Sequence, residues 1–178
     1  MRRRFTRSEA GLSLLELLAV LSIVAVLVQA AAPAFSRLLA DIRISIQVNH
    51  LRQTLQLGRQ LAWTTGKDLV LCRSRSGLRC EHSGGWQDGW ILFRNDDRDS
   101  PPQLDPGEAV ELRAAATHGI NISANRTAFV LRPAAKRSTN GTFRACALGR
   151  NGTGRALIVS YTGKTREQAG KCDTRDRS

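Results

Sequence analysis

A long apolar stretch is the first element in the pattern of hydrophobic and polar positions. From Leu12 to Ala34 the chain has 23 residues, of which Glu16 is the only charged one. A helix of this length, rising about 1.5 Å per residue, crosses a hydrocarbon core of about 30 Å. Four arginines lie between Met1 and Gly11, which predicts a cytoplasmic N-terminus and a translocated C-terminal domain. A secretory signal peptide cut after Ala32 is the alternative interpretation.

An amphipathic helix is predicted over residues 35–66. Pro33 is expected to kink the helix or to end its first half. Beyond it, apolar residues recur at steps of three, four and seven, and this spacing marks one core-facing stripe. Gly66 follows the last of them and is expected to cap the helix. The stripe consists of Ile44, Val48, Leu51, Leu55 and Ala62.

Short β-type runs follow from residue 67 to residue 178, separated by turn residues such as Gly84-Gly85 and Asn140-Gly141. The pattern predicts an α+β fold in which a long N-terminal helix packs on a C-terminal antiparallel β-sheet domain with a basic tail. The expected strands are Leu69–Arg73, Trp90–Arg94, Ala109–Arg113, Ile120–Ser123, Ala128–Arg132, Thr142–Ala147 and Ala156–Tyr161.

Charge is distributed unevenly along this domain. The chain has a net charge of +12, yet eight acids lie between Glu81 and Glu111. The next acid is Glu167, and the 55 residues between Glu111 and Glu167 carry ten bases. One surface of the folded domain is therefore expected to be strongly electropositive.

Four cysteines in a translocated domain predict disulfides. Of the three pairings, Cys72 with Cys80 and Cys146 with Cys172 are favoured. The first closes a hairpin-sized loop, and the second ties the C-terminal tail to a central strand. A four-cysteine zinc site is the competing interpretation, but the chain has no Cys-x-x-Cys pair.

The sequence favours no metal, no cofactor and no catalytic site. The acidic run Asn95–Asp99 could bind calcium, but Arg98 lies inside it and no EF-hand spacing follows, so a solvated loop is expected. His82 and His118 have no cysteine or serine beside them in a catalytic arrangement. An enzyme is not expected.

The N-terminus resembles the type IV prepilin signature in Gly11-Leu12-Ser13-Leu14-Leu15-Glu16, which joins a basic leader to a long apolar run. A carboxylate in a membrane helix costs about 3 kcal/mol, so Glu16 needs a function. The resemblance implies that a prepilin peptidase cuts after Gly11 and that Leu12, where phenylalanine is usual, becomes the methylated N-terminus. It also implies that Glu16 pairs with the terminal amine of a neighbouring subunit during assembly.

The rest of the chain resembles the FimT/GspH family of minor pilins and pseudopilins. The resemblance is carried by Cys72, Cys80 and the run Trp86 to Phe93, and then by Asn140 to Phe143 before Cys146 and Ser160 to Arg166 before Cys172. It implies the pilin fold and assembly with other pilins or pseudopilins. It also implies an inner-membrane single-pass protein with a periplasmic domain, moving to a surface pilus after assembly.

FimT-type minor pilins carry a basic Gly-Arg-x-Arg stretch implicated in DNA binding during natural transformation, and Gly163-Lys164-Thr165-Arg166 is similar to it. The resemblance therefore implies a minor pilin that binds DNA. The alternative is a type II secretion pseudopilin or a pilus-tip subunit without DNA binding. Few aromatic residues accompany these basic residues, since Tyr161 is the only tyrosine and Phe143 is the nearest other ring. Duplex DNA is therefore expected as the ligand, and a stacking platform for single strands is not. The expected DNA-binding residues are Lys164, Arg166, Arg150, Arg155 and Lys171.

Overall fold

The computed structural model describes residues 13–133, 137–148 and 152–172. The chain divides into two compact units, Met1–Leu39 and Ala40–Ser178. The elements are α1 (Leu14–Thr65), β1 (Asp68–Arg73), a 3-10 turn (Trp86–Asp88), β2 (Trp90–Asn95), β3 (Val110–Ala114), β4 (Ile120–Ala124), β5 (Ala128–Leu131), β6 (Gly141–Ala147), β7 (Gly152–Val159) and β8 (Thr165–Cys172).

In the first unit, the described residues of α1 expose their apolar side chains, from Leu14 through Leu39. This is the one described helix long and apolar enough to cross a membrane, by length and composition. Pro33 lies inside α1 without ending it. A proline removes one backbone hydrogen bond, and the remaining bonds of a long helix hold the backbone on either side of it.

In the second unit, the predicted stripe of α1 is buried, and the helix ends where expected. Thr65 is its last residue, and Gly66 adopts φ +70°, a left-handed conformation that favours glycine. Gly58 allows a close approach to the sheet, because a Cβ atom there would lie 2.6 Å from Cδ1 of Leu131. The buried stripe contains Ile44, Val48, Leu51, Leu55 and Ala62.

Two antiparallel sheets face this helix. Sheet 1 has the order β3-β2-β1-β5, and sheet 2 has the order β4-β6-β7-β8. Sheet 1 is buried on both faces: Leu71 packs in the core with α1, and Val70 packs in a second cluster with Leu104. Its central strands therefore have continuous apolar runs, as in Leu69–Leu71 and Trp90–Phe93.

An aromatic cluster joins the two sheets. The ring centroid of Trp86, in the 3-10 turn, lies 4.8 Å from that of Phe143 in β6 and 5.9 Å from that of Phe129 in β5. The rings of Phe129 and Phe143 stack at 4.5 Å. Gln87 fixes the turn to β4, because its side-chain Oε1 accepts a hydrogen bond from the backbone N–H of Ile122.

The observed strands differ from the predictions in three ways. All seven expected strands are present, but β7 starts at Gly152 rather than Ala156, and the basic tail contains an eighth strand, Thr165–Cys172. The strands also form two sheets instead of one. The tail lacks the apolar alternation of a strand because β8 is the edge strand of sheet 2, with most of its residues exposed or half-buried.

Candidate nucleic-acid interface

The outer face of sheet 2, which points away from α1, carries exposed cations. Phe143, Ala145 and Leu157 pack in the core with α1, so the residues that alternate with them point outward. Arg144 in β6 is one such residue, and both it and Arg166 are exposed. Arg166 pairs with Ile158, the outward neighbour of core residue Leu157, and therefore shares this face.

The register gives the spacing of these two arginines. Arg144 lies opposite Ala156, which lies opposite Gln168 on β8, two residues beyond Arg166. With strands about 4.8 Å apart and residues about 3.4 Å apart, the Cα atoms of Arg144 and Arg166 are about 12 Å apart. A shallow depression of about 220 Å³ lies beside Arg144, lined by Ser123, Ala124, Asn125 and Thr142. Arg144 was missed by sequence reasoning, and the alternation along β6 was the signal that could have found it.

The turn between β7 and β8 presents Lys164. The backbone N–H of Gly163 donates to the carbonyl of Ser160, and the N–H of Ser160 donates to the carbonyl of Lys164, each at 2.9 Å. Gly163 has φ +70°, a conformation that would be strained for a residue with a side chain. The Lys164 side chain is exposed, two residues before Arg166. Gly163-Lys164-Thr165-Arg166 therefore forms the turn and the start of an edge strand.

The other expected DNA-binding residues are placed differently. Alternation along β8 puts Lys171 on the side opposite to Arg166, where it is exposed. Arg155 lies on the side that faces α1 and donates to Glu167. Arg150 falls outside the described residues. The structure therefore brings together Lys164 and Arg166, adds Arg144, and separates Arg155 and Lys171 from them.

Glu167 is the only acid in the described strands of sheet 2, and it points toward α1. Arg155 in β7 and Arg52 in α1 both hydrogen-bond its carboxylate. These partners, with the hydrogen bond from Arg155 first, lower the pKa of Glu167 below its ordinary value against the opposing effect of burial. The outer face of sheet 2 therefore has no acid among the described residues, and Arg155 is largely neutralised where it lies.

Both favoured disulfides are present in the structure. Cys72 is bonded to Cys80, and Cys146 in β6 is bonded to Cys172 at the end of β8. The second disulfide passes over β7, which lies between its two strands, at Gly154. A Cβ atom at Gly154 would lie 2.4 Å from Sγ of Cys172 and 3.1 Å from Sγ of Cys146. A bond between non-adjacent strands therefore depends on a residue without a side chain in the strand that it crosses.

Comparison with known proteins identifies the family. The family model described as type II transport protein GspH matches residues 47–163, about two thirds of the chain. The chain belongs to the GspH family. It is thus a minor pilin or pseudopilin of a type IV pilus or a type II secretion system. No curated protein sequence gives a significant match to the chain.

A solved minor pilin shares the fold of this GspH-family chain. The type IV minor pilin FimU of Pseudomonas aeruginosa aligns in two crystal forms. The first gives a TM-score of 0.50 at 14% identity, covering 68% of this chain and 89% of FimU. The second gives 0.51 at 13% identity, covering 70% and 87%. The minor pseudopilin EpsH from the type 2 secretion system of Vibrio cholerae aligns with a TM-score of 0.49 at 11% identity, covering 71% and 97%.

The N-terminal apolar helix fits an inner-membrane-anchored member of this family. Glu16 lies in the first turn of α1, where its backbone N–H donates to the carbonyl of Ser13 at 3.0 Å. The expected cleavage residues Gly11 and Leu12 fall outside the described part of the chain.

The acidic loop of this family member is internally bonded. Carboxylate oxygens of Asp97, Asp99 and Asp105 lie within 4.8 Å of one another. Both oxygens of Asp99 accept hydrogen bonds, one from the side chain of Asn95 and one from the backbone of Gln103. These bonds account for the arrangement of Asp99 as part of the loop.

Proposed function

We propose that this GspH-family protein is a minor type IV pilin that binds extracellular duplex DNA through the outer face of sheet 2 for uptake in natural transformation. The observation that carries the proposal is the outer face of sheet 2, where the described residues include Arg144, Arg166 and the adjacent Lys164 and no acid. Such a face binds the phosphates of DNA regardless of the base sequence, because each phosphate that a cation neutralises releases condensed counterions.

Assembly is the second part of the proposal. The leader Met1–Gly11 is removed by a prepilin peptidase, Leu12 becomes the methylated N-terminus, and Glu16 pairs with the terminal amine of a neighbouring subunit. The cost of a carboxylate within a membrane helix supports this role for Glu16, since an ion pair between subunits would offset that cost. Other pilins or pseudopilins are then the partners of the N-terminal helix.

A salt titration tests DNA binding. The full chain in a non-ionic detergent is titrated with labelled duplexes of two unrelated sequences, and anisotropy gives the affinity at each salt concentration. Affinity should fall with salt by about 0.9 log units per log unit for each phosphate contact. Lys164→Gln with Arg166→Gln should weaken binding equally for both sequences and reduce the slope by about 1.8.

Matched variants separate this face from total charge. Arg79→Gln with Arg98→Gln also removes two positive charges, but from exposed loops on the sheet 1 side, and should leave the salt slope nearly unchanged. Arg144→Gln should reduce the slope by about one, and Lys171→Gln should have little effect. Equal losses in the Lys164/Arg166 and Arg79/Arg98 pairs would show a nonspecific charge effect. No loss in either would favour the alternative, a pseudopilin or tip subunit without DNA binding.

A further inference from the structure

Two aromatic rings are exposed near the β7–β8 turn. Trp63, in the last turn of α1, is 52% exposed, and Tyr161, in the turn itself, is 54% exposed. Phe143, the ring nearest to Tyr161 along the C-terminal half of the sequence, is instead buried in the core. The second exposed ring thus comes from the helix, about one hundred residues away in the sequence.

Arg59 connects Trp63 to the turn. Its guanidinium carbon lies 4.3 Å from the centroid of the Trp63 ring. The same side chain packs against Gly163, where an added Cβ atom would lie 3.2 Å from Cδ of Arg59. Trp63 is therefore within the reach of one arginine side chain from the turn that presents Lys164.

Tyr161 has a matching cation. The guanidinium carbon of Arg137 lies 5.6 Å from the centroid of the Tyr161 ring. The backbone N–H of Ser138 donates to the carbonyl of Tyr161 at 2.8 Å, which fixes the loop that carries Arg137 beside the turn. Each exposed ring thus has a guanidinium over it and remains more than half open.

The three cations near these rings keep their charge available. Within the described residues, Arg59, Arg137 and Lys164 form no ion pair with an acid. The Nε atom of Arg59 is buried, and among the same described residues it has no hydrogen-bond acceptor. Exposed aromatic faces beside unpaired cations are the two components that single-stranded nucleic acid requires, since bases stack on rings and phosphates bind cations.

We infer that Trp63 and Tyr161 form a stacking platform for unpaired bases of single-stranded DNA, with Arg59, Arg137 and Lys164 binding its phosphates. The inference rests on the proposed DNA-binding function and adds to it a second substrate class, single strands and frayed duplex ends. A guanidinium on one side of each ring leaves the remaining exposed surface for a base. A fully paired duplex offers no such base away from its ends.

Tryptophan fluorescence reports directly on this platform. The chain has three tryptophans, and Trp86 and Trp90 are buried, so Trp63 is the one that a ligand can reach. The full chain in non-ionic detergent is titrated with an oligothymidine, with an abasic oligonucleotide of the same length, and with a blunt duplex. The abasic strand keeps the phosphates and lacks the bases. Oligothymidine should quench Trp63 and bind at least about fivefold more tightly than the abasic strand at the same salt concentration.

Variants complete the test. Trp63→Leu should reduce oligothymidine affinity to about that of the abasic strand and leave duplex affinity unchanged, with circular dichroism confirming folding. Trp63→Phe keeps a ring and should retain most of the preference for bases, which a merely structural role of Trp63 would not predict. Tyr161→Leu should lower oligothymidine affinity without affecting the duplex.

The two proposals fail differently. Equal affinity for oligothymidine and the abasic strand, with no fluorescence change on base binding, would overturn the stacking platform and leave duplex binding by Arg144 and Arg166 intact. A preference for bases that depends on Trp63, together with a duplex salt slope indifferent to Lys164 and Arg166, would support the platform and contradict the proposed duplex interface.

Discussion

Gly154 shows how a single residue controls the covalent structure of sheet 2. The disulfide between Cys146 and Cys172 crosses β7 at this glycine, and a side chain there would meet both the Cys172 sulfur and the backbone carbonyl of Ala145 at 2.4 Å. The sequence favours the cysteine pairs that the structure shows. The need for a glycine at position 154 could not be inferred, because a glycine in a strand is equally typical of a bulge.

Gly154→Ala should therefore prevent or strain the disulfide and lower the free energy of unfolding by about 1–3 kcal/mol. Thiol titration of the denatured protein and thermal denaturation measure the two effects. Gly170→Ala on the neighbouring strand is the control. Its Cβ atom would come no closer than 3.2 Å to its nearest neighbours, the backbone N of Ala156 and C of Arg155, so it should disturb the structure less than a Cβ atom at Gly154. Full disulfide formation and unchanged stability in Gly154→Ala would contradict the steric argument.

At the scale of elements, Glu167 joins three of them. Its carboxylate in β8 accepts hydrogen bonds from Arg155 in β7 and Arg52 in α1, so the edge strand is attached to the helix as well as to its neighbour. The pKa of Glu167 is lowered by these bonds, so its stabilising effect is present above the unfolded-state pKa, ordinarily near 4.5, and is lost as the pH falls through the lower folded-state pKa.

Glu167→Gln should lower the free energy of unfolding by about 1 kcal/mol at pH 7, allowing for solvent screening of a partly exposed pair. The difference from the unmodified protein should shrink as the pH falls below 4.5 and Glu167 becomes protonated in both the unfolded and the folded state. Chemical denaturation from pH 3 to pH 7 measures it. Arg155→Gln should raise the pKa of Glu167 more than Arg52→Gln does, because the Arg155 hydrogen bond is the largest cause of the shift. A difference independent of pH would contradict the ion-pair explanation.

Seven strands and the buried stripe of α1 followed from the sequence, because burial on one or both faces leaves a regular apolar pattern. The strand β8 did not, since an edge strand with few buried residues has no such pattern. The division of the strands between two sheets also could not be predicted, because it depends on which strands pair, and β1 pairs with β5 while β4 pairs with β6 across intervening segments of the chain.

At the scale of the whole molecule, the fold redistributes the charges that the sequence concentrates in one segment. The predicted DNA-binding residues Arg155 and Lys171 lie on the helix-facing side of sheet 2, while Arg144 joins Arg166 on the outer side. Charge in the linear sequence predicts that a basic surface exists. It does not predict the side of the sheet on which each cation lies, because that depends on strand register.

The leader gives the last prediction. If a prepilin peptidase cuts after Gly11, the mature chain begins at Leu12, and the loss of four arginines and one glutamate lowers the side-chain net charge from +12 to +9. Intact-mass analysis of protein purified from host membranes should show this truncation, together with the added mass of one methyl group. Gly11→Arg should retain the leader in full, because the residue before the cut is changed. A signal peptidase would instead cut after Ala32 and be indifferent to Gly11. It would also release a chain without Glu16 or the apolar helix, which would rule out assembly through that helix.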